Sequence, residues 1–150
     1  MREILFRGKR TDNCEWAYGA PTKDNHGEMV MVKSTFECDE YNCRGANCLY
    51  VDENTVGQYT GLTDKNGTKI FEGDIVKNEW CFIKGNSIVR FGEYKSLDSS
   101  NDYQCGHLGF YLEHISDFNK RTVRKDIMYF ANKCEIIGNV FDNPEMLKEG

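Results

Sequence analysis

The chain has 150 residues, 39% of them hydrophobic and 13% aromatic, which is enough for a globular core without disulfides or metals. Its net charge of −5 disfavours non-specific nucleic-acid binding through a cationic surface. Fourteen glycines and the aromatic content favour turns and strands over long helices, so we predict one mainly β domain over residues 1–150.

The amino-terminal segment predicts a cytoplasmic location. Its apolar run is broken by Arg7 and is too short for a secretion signal, and no stretch is long enough to cross a bilayer. We therefore expect no membrane partner, and we expect the seven cysteines to be reduced thiols.

The first 33 residues are predicted to form an antiparallel meander. Apolar runs occur at Ile4–Phe6 and Met29–Val32, and Glu15–Tyr18 places Trp16 and Tyr18 on one face of a strand. Residues 34–54 are polar and predict a long connection or an irregular insertion.

The middle of the chain carries the strongest turn signals. Asp64–Gly67 ends in an Asn-Gly pair, which predicts a hairpin between strands at Thr55–Tyr59 and Ile70–Phe71. Further short strands are predicted at Ile75–Val76, Trp80–Ile83 and Ser87–Phe91. Such spacing is typical of small barrels, so we predict an SH3-like β-barrel core over roughly 55–141, with extra strands or insertions and with residues 1–33 packed on it.

The last third of the chain has a mixed pattern. Leu97–Gly109 is polar and predicts a mobile connection, Phe110–Ile115 predicts a return to the sheet, and Asn119–Asn132 fits either a helix or a strand. Cys134–Phe141 predicts a strand. After it, Asp142-Asn143-Pro144 predicts the cap of a short helix through Lys148.

Three segments resemble the YopX family of phage and prophage proteins. They are Arg2–Gly8 (REILFRG), Val56–Val76 (VGQYTGLTDKNGTKIFEGDIV) and Glu135–Leu147 (EIIGNVFDNPEML). The resemblance implies an SH3-type barrel in a protein of mobile DNA, in a family without an established activity or known catalytic residues. Fold alone does not supply a function.

The spacing of the candidate ligands in the sequence gives little support to two metal-site hypotheses. If Gly67 is aligned with the sixth position of a calcium loop, Leu62 and Gly73 fall where the first and twelfth ligands are needed, so a hairpin turn explains the segment better. Cys38, Cys43 and Cys48 recur every five residues, wider than the usual zinc pairs, and Cys105-Gly106-His107 could supply a fourth ligand only through the fold. We expect no metal and no cofactor.

Two hypotheses concern nucleic acid. Asp74, Glu93 and Lys95 match the acid, acid and lysine pattern of Mg²⁺-dependent nucleases, although this pattern is common by chance. The basic run 120–125 would place Arg121, Arg124 and Lys125 on one face if it were helical, where they could bind phosphates. A solvated surface explains the run more simply.

No nucleophile triad is visible around His26, His107 or His114. The leading hypothesis is therefore a non-enzymatic binding module of phage or prophage origin. We expect it to associate with itself and with an unidentified phage or host protein. The alternative is a Mg²⁺-dependent nuclease or a nucleic-acid-binding protein.

Overall fold

The computed structural model describes residues 3–33, 37–39, 42–44, 47–78, 85–97, 104–116, 121–129 and 131–147. The chain divides into two compact units, Met1–Tyr59 and Thr60–Gly150. The described residues are mainly antiparallel β-strand, as predicted, and their helices are four short 3-10 turns. None of the helices in these ranges is long and apolar enough to cross a membrane. Packing of residues 1–33 on a single domain stays a prediction.

The first unit contains the predicted meander. Its strands are β1 (Phe6–Lys9), β2 (Trp16–Lys23), β3 (Met29–Lys33), β4 (Glu37–Asp39), β5 (Asn42–Arg44) and β6 (Asn47–Tyr50), and β7 (Gly57–Thr63) begins in it. The sheet order is β6-β3-β2-β1 followed by the start of β7, while β4 pairs with β5 separately. Ala17, Met31 and Val51 form the buried core of this unit.

The interpretation of residues 34–54 as a connection or irregular insertion is wrong for the described part of that segment. β4, β5 and β6 lie there, followed by a 3-10 turn at Glu53–Thr55. Backbone pairing accounts for the difference, because β6 pairs with β3 from Asn47 to Tyr50, and such pairing does not require alternating hydrophobicity. The predicted strand at Thr55–Tyr59 accordingly starts two residues later.

The second unit holds a five-stranded antiparallel sheet. Its strands are β9 (Asp74–Asn78), β10 (Gly85–Leu97), β11 (Gln104–Ser116), β12 (Arg121–Asp126) and β13 (Cys134–Asn139), in the order β12-β11-β10-β9-β13. The end of β7 pairs with β8 (Lys69–Phe71), which confirms the predicted hairpin. The core of this unit comprises Ile70, Val76, Val89, Leu112, Ile127, Ala131 and Cys134.

The predicted closed barrel is not found among the described strands. β12 and β13 are the two edges of an open sheet. β10 and β11 have 13 residues each and pair with one another over eleven positions. Of these two strands, β9 pairs only with β10, and only at four positions, from Gly85 to Ile88. Short, evenly spaced strands would favour closure, but a hairpin of this length extends past its neighbours instead.

The prediction of a mobile connection at Leu97–Gly109 is wrong for its described part, because residues 104–109 belong to β11. The ambiguous segment 119–132 contains β12 rather than a helix at residues 121–126. The predicted short carboxy-terminal helix is a single 3-10 turn at Pro144–Leu147, since one turn is too short to propagate an α-helix. The predicted strand at Trp80–Ile83 lies outside the described residues.

Candidate interaction surface

The β10–β11 hairpin extends beyond the strands on either side of it. β9 pairs with β10 only from Gly85 to Ile88, and β12 pairs with β11 only from Tyr111 to Ser116. Residues 91–97 of β10 and 104–110 of β11, which we call the outer hairpin, pair with each other. Within the described ranges no third strand pairs with either of them. Among the described strands the outer hairpin is therefore a two-stranded ribbon.

A tight turn determines where the outer hairpin begins. The backbone N–H of Gly73 donates to the carbonyl of Val89 at 2.9 Å, and Gly73 has a φ of +84°, which favours glycine. Asp74 is almost fully buried, and its Oδ2 accepts the backbone N–H of Phe71 at 2.8 Å. These contacts turn the chain away at the level of Val89, so β9 cannot accompany β10 further.

One face of the outer hairpin is apolar and exposed. Phe91 pairs with Phe110 across the hairpin, and their rings meet edge to face at 5.0 Å between centroids. Phe91 is 51% exposed and Leu108, one row further out, is 72% exposed. On the same face one row inward, Val89 and Leu112 are buried in the core. The apolar face therefore continues from the core into solvent.

Two opposite charges lie on the same face of the outer hairpin. Strand alternation places Glu93 and Lys95 on the face of Phe91, and both residues are exposed. Glu93 is paired in register with Leu108, and Lys95 with Gly106. The exposed face thus has an apolar inner part and an outer part with one acid and one base.

The opposite face of the hairpin is packed with aromatic rings. Tyr94 stacks on His107 and lies against Tyr111, with centroids 5.1 Å apart in both pairs. Burial and the nearby Asp126 carboxylate, which is hydrogen-bonded to the Tyr94 hydroxyl, raise the pKa of Tyr94 above its ordinary value. Gly92 and Gly109 pair between the tyrosines, and the Tyr111 ring lies over Gly92. A large ring beside a strand glycine stabilises pairing that would otherwise be weak.

Comparison with known proteins identifies the family. The family model described as "YopX protein" matches residues 5–148. The chain belongs to the YopX family. Among solved structures, it is similar to "Crystal structure of protein EF1440 from Enterococcus faecalis", with 21% sequence identity, a TM-score of 0.49, and coverage of 98% of this chain and 99% of that one. No curated protein matches it.

In this YopX family member, the residues of the nuclease hypothesis lie apart. Asp74 lies at the level of Val89, while Glu93 lies four residues further along β10, about 13 Å away along the strand. Asp74 is buried and Glu93 is exposed. The structure therefore does not bring Asp74, Glu93 and Lys95 together. Across the described ranges, no group of three or more His, Cys, Asp or Glu side chains could hold a metal ion.

The helical arrangement of the basic run is also wrong. Arg121, Arg124 and Lys125 lie on β12, and Lys120 lies outside the described residues. Successive positions of a strand alternate between its two faces, so the helical spacing on which the hypothesis of a shared face rests does not apply to β12. Phosphate binding by this strand stays a prediction.

Among the described side chains, the structure brings no group of three or more cysteines, histidines or acids together as a metal site. Cys38 and Cys43 are register partners on β4 and β5, whereas Cys48 lies on β6 and is exposed. His107 stacks on Tyr94, and the backbone N–H of His26 donates to Asp24 within a turn. His114 occupies a β11 position opposite Ser87.

The polar composition of residues 97–109 predicts a connection, so it does not indicate the exposed face. A signal for it is present in the sequence. Leu108, Phe110 and Leu112 alternate with period two, which is the pattern of a strand with one apolar face. Glycines at 106 and 109 hide this pattern, since glycine is depleted in strands.

Proposed function

We propose that this YopX family protein is a non-enzymatic binding module of phage or prophage origin that acts in the bacterial cytoplasm and associates with itself. The observation that supports the proposal best is the exposure of Phe91 and Leu108 on the outer hairpin. Exposed apolar patches that continue from a core are typical of protein interaction sites.

Physical stability gives a second reason for a protein partner. An isolated two-stranded ribbon is only marginally stable in water, and three or more strands or a packed face are needed for independent stability. The outer hairpin has no third strand among the described residues. A second copy of this chain supplies both a strand and a matching apolar face, and it is always present at the concentration of the protein itself.

Sedimentation velocity of three single-site variants tests the proposal. Phe91→Ser and Leu108→Ser should each shift the protein toward monomer, because each removes apolar packing from the outer hairpin and so weakens the ribbon that the second copy contacts. Met128→Ser is the matched control, since Met128 is 74% exposed but lies outside the hairpin. Self-association that is equally strong in all three variants would contradict the assignment of the outer hairpin as the contact surface.

An unidentified phage or host protein remains the expected second partner. Such a partner would bind to the assembled protein rather than replace self-association. The charge of the chain and the separation of Asp74 from Glu93 give nucleic-acid chemistry no comparable support.

A further inference from the structure

The open edge of β10 carries a self-complementary sequence. Around Tyr94, the outer part of the strand reads Phe91-Gly92-Glu93, then Tyr94, then Lys95-Ser96-Leu97. On the two sides of Tyr94 an acid is matched by a base, a glycine by a serine, and an aromatic residue by a leucine. Sequences with this symmetry suit antiparallel pairing with a copy of themselves, because opposite charges and apolar residues then fall opposite each other.

We propose that two copies of the chain pair through the outer β10 edges, antiparallel and centred on Tyr94. This inference rests on the proposed self-association and adds its geometry and register. A two-fold axis normal to the sheet at Tyr94 places Glu93 opposite Lys95 of the second copy, and Lys95 opposite Glu93 of the second copy. Phe91 takes the position opposite residue 97 of the second copy.

Pairing with a second copy stabilises the two-stranded outer hairpin. Two outer hairpins joined at β10 make a four-stranded antiparallel sheet in the order β11-β10-β10-β11, with its free inner backbone groups hydrogen-bonded. A two-fold axis normal to a sheet keeps each face on its own side. The exposed faces that carry Phe91 and Leu108 therefore combine into one continuous apolar face.

The two neighbouring edges, those of the outer β11 and of β12, fit a second copy less well. The outer edge of β11 centres on His107 and contains Gly106 and Gly109, so antiparallel self-pairing there opposes no acid to a base. Edge strand β12 carries Arg121, Arg124 and Lys125, and clustered positive charge is a common device that keeps edge strands from pairing. The β10 edge combines an acid, a base and apolar residues in a symmetric order.

Charge reversal tests this register through complementation. In a dimer of the Glu93→Lys variant, a lysine at position 93 faces Lys95 of the second copy on both sides of the axis. In a dimer of the Lys95→Glu variant, two glutamates face each other at the same places. Each single variant should dimerise roughly tenfold more weakly than the wild type at low salt, where surface charges are least screened. An equimolar mixture of the two variants should form a heterodimer, because every opposed pair then has opposite signs. The double variant Glu93→Lys/Lys95→Glu should dimerise like the wild type.

Sedimentation at low ionic strength, with circular dichroism to confirm folding of each variant, distinguishes the outcomes. Weak single variants restored by mixing and by the double reversal support the β10 register. Wild-type self-association that is unchanged in both single variants overturns this register but leaves the proposed function standing. A wild type that remains monomeric across the micromolar range overturns both.

Discussion

Asp64 accepts a hydrogen bond at 3.1 Å from the backbone N–H of Ile136, 72 residues later in the chain. The other carboxylate oxygen of Asp64 accepts the backbone N–H groups of Asn66 and Thr68, both at 2.9 Å. One buried side chain thus closes the β7–β8 hairpin and binds it to β13. The Lys65 backbone N–H donates to the Cys134 carbonyl at 3.0 Å and adds to the same junction.

Replacement of Asp64 by Asn should destabilise the protein by roughly 2 kcal/mol, because an amide has one acceptor oxygen and leaves a backbone N–H without an acceptor. The Asn oxygen can serve either the turn or Ile136, but not both. Urea unfolding followed by circular dichroism measures the change.

Asp24 provides a matched control for this substitution. Its Oδ1 accepts the backbone N–H groups of His26 and Glu28 in an equivalent Asp-x-x-Gly turn, while its Oδ2 accepts the Tyr50 hydroxyl. In Asp24→Asn the amide nitrogen can donate to that hydroxyl, so we expect a change below about 0.5 kcal/mol. Equal destabilisation by the two substitutions would contradict the special role of Asp64.

Acid should remove the contribution of Asp64 to the free energy of unfolding. Burial opposes ionisation of this carboxyl, but the backbone N–H groups of Ile136, Thr68 and Asn66 outweigh it and hold the pKa below its ordinary value of 3.8. The stabilisation is therefore complete above the unfolded pKa and is lost as pH falls through the lowered folded pKa. The difference in unfolding free energy between wild type and Asp64→Asn should narrow as pH falls from about 5 to about 2. A constant difference across this range would be inconsistent with the ionised carboxylate as the acceptor.

Gly19 should tolerate no side chain. A Cβ at this position would lie 2.2 Å from the carbonyl oxygen of Val32, and a backbone atom cannot rotate away. We expect Gly19→Ala to destabilise the protein by about 2 kcal/mol or more in thermal unfolding. Gly106→Ala is the control, because a Cβ at Gly106 meets nothing within 4 Å, and it should leave the melting temperature nearly unchanged.

The thiol of Cys134 should be inert in the folded protein. Burial, together with the Asp64 charge, raises its pKa from 9.0 to about 11, and its Sγ donates to the Ala131 carbonyl. A shift of this size lowers the thiolate fraction near neutral pH about 100-fold, and the side chain is also inaccessible. In iodoacetamide labelling followed by mass spectrometry, exposed Cys14 should react and Cys134 should react only after denaturation. Comparable labelling of both in native buffer would refute this.

Local signals predicted much of the fold. The Asn-Gly pair at 66–67 predicted the hairpin because Gly67 has a φ of +81°, a conformation that few other residues adopt. Apolar runs at Met29–Val32 and Ser87–Phe91 predicted parts of β3 and β10. The second Asp-x-x-Gly turn at Asp24–Gly27 repeats the Asp64–Gly67 device, and this likeness was visible in the sequence.

Features that depend on distant partners could not be predicted in this way. Pairing of Asp64 with Ile136 joins residues with no local relationship, and the length of β11 depends on the β10 strand beside it. Closure of the sheet was predicted from turn spacing, yet it depends on whether edge strands meet. The candidate surface was missed for the same reason, because Leu108 is part of a surface only through its pairing with Glu93.

Hydrogen exchange of the β10 backbone at two protein concentrations tests the central claim most directly. If two copies pair through the outer hairpin, amides within residues 91–97 should exchange more slowly at high concentration, when dimer predominates, than at high dilution. Amides of β3 in the first unit should exchange at the same rate in both samples. Slowing that is confined to 91–97 is the predicted result, and identical exchange of this segment at both concentrations would contradict it.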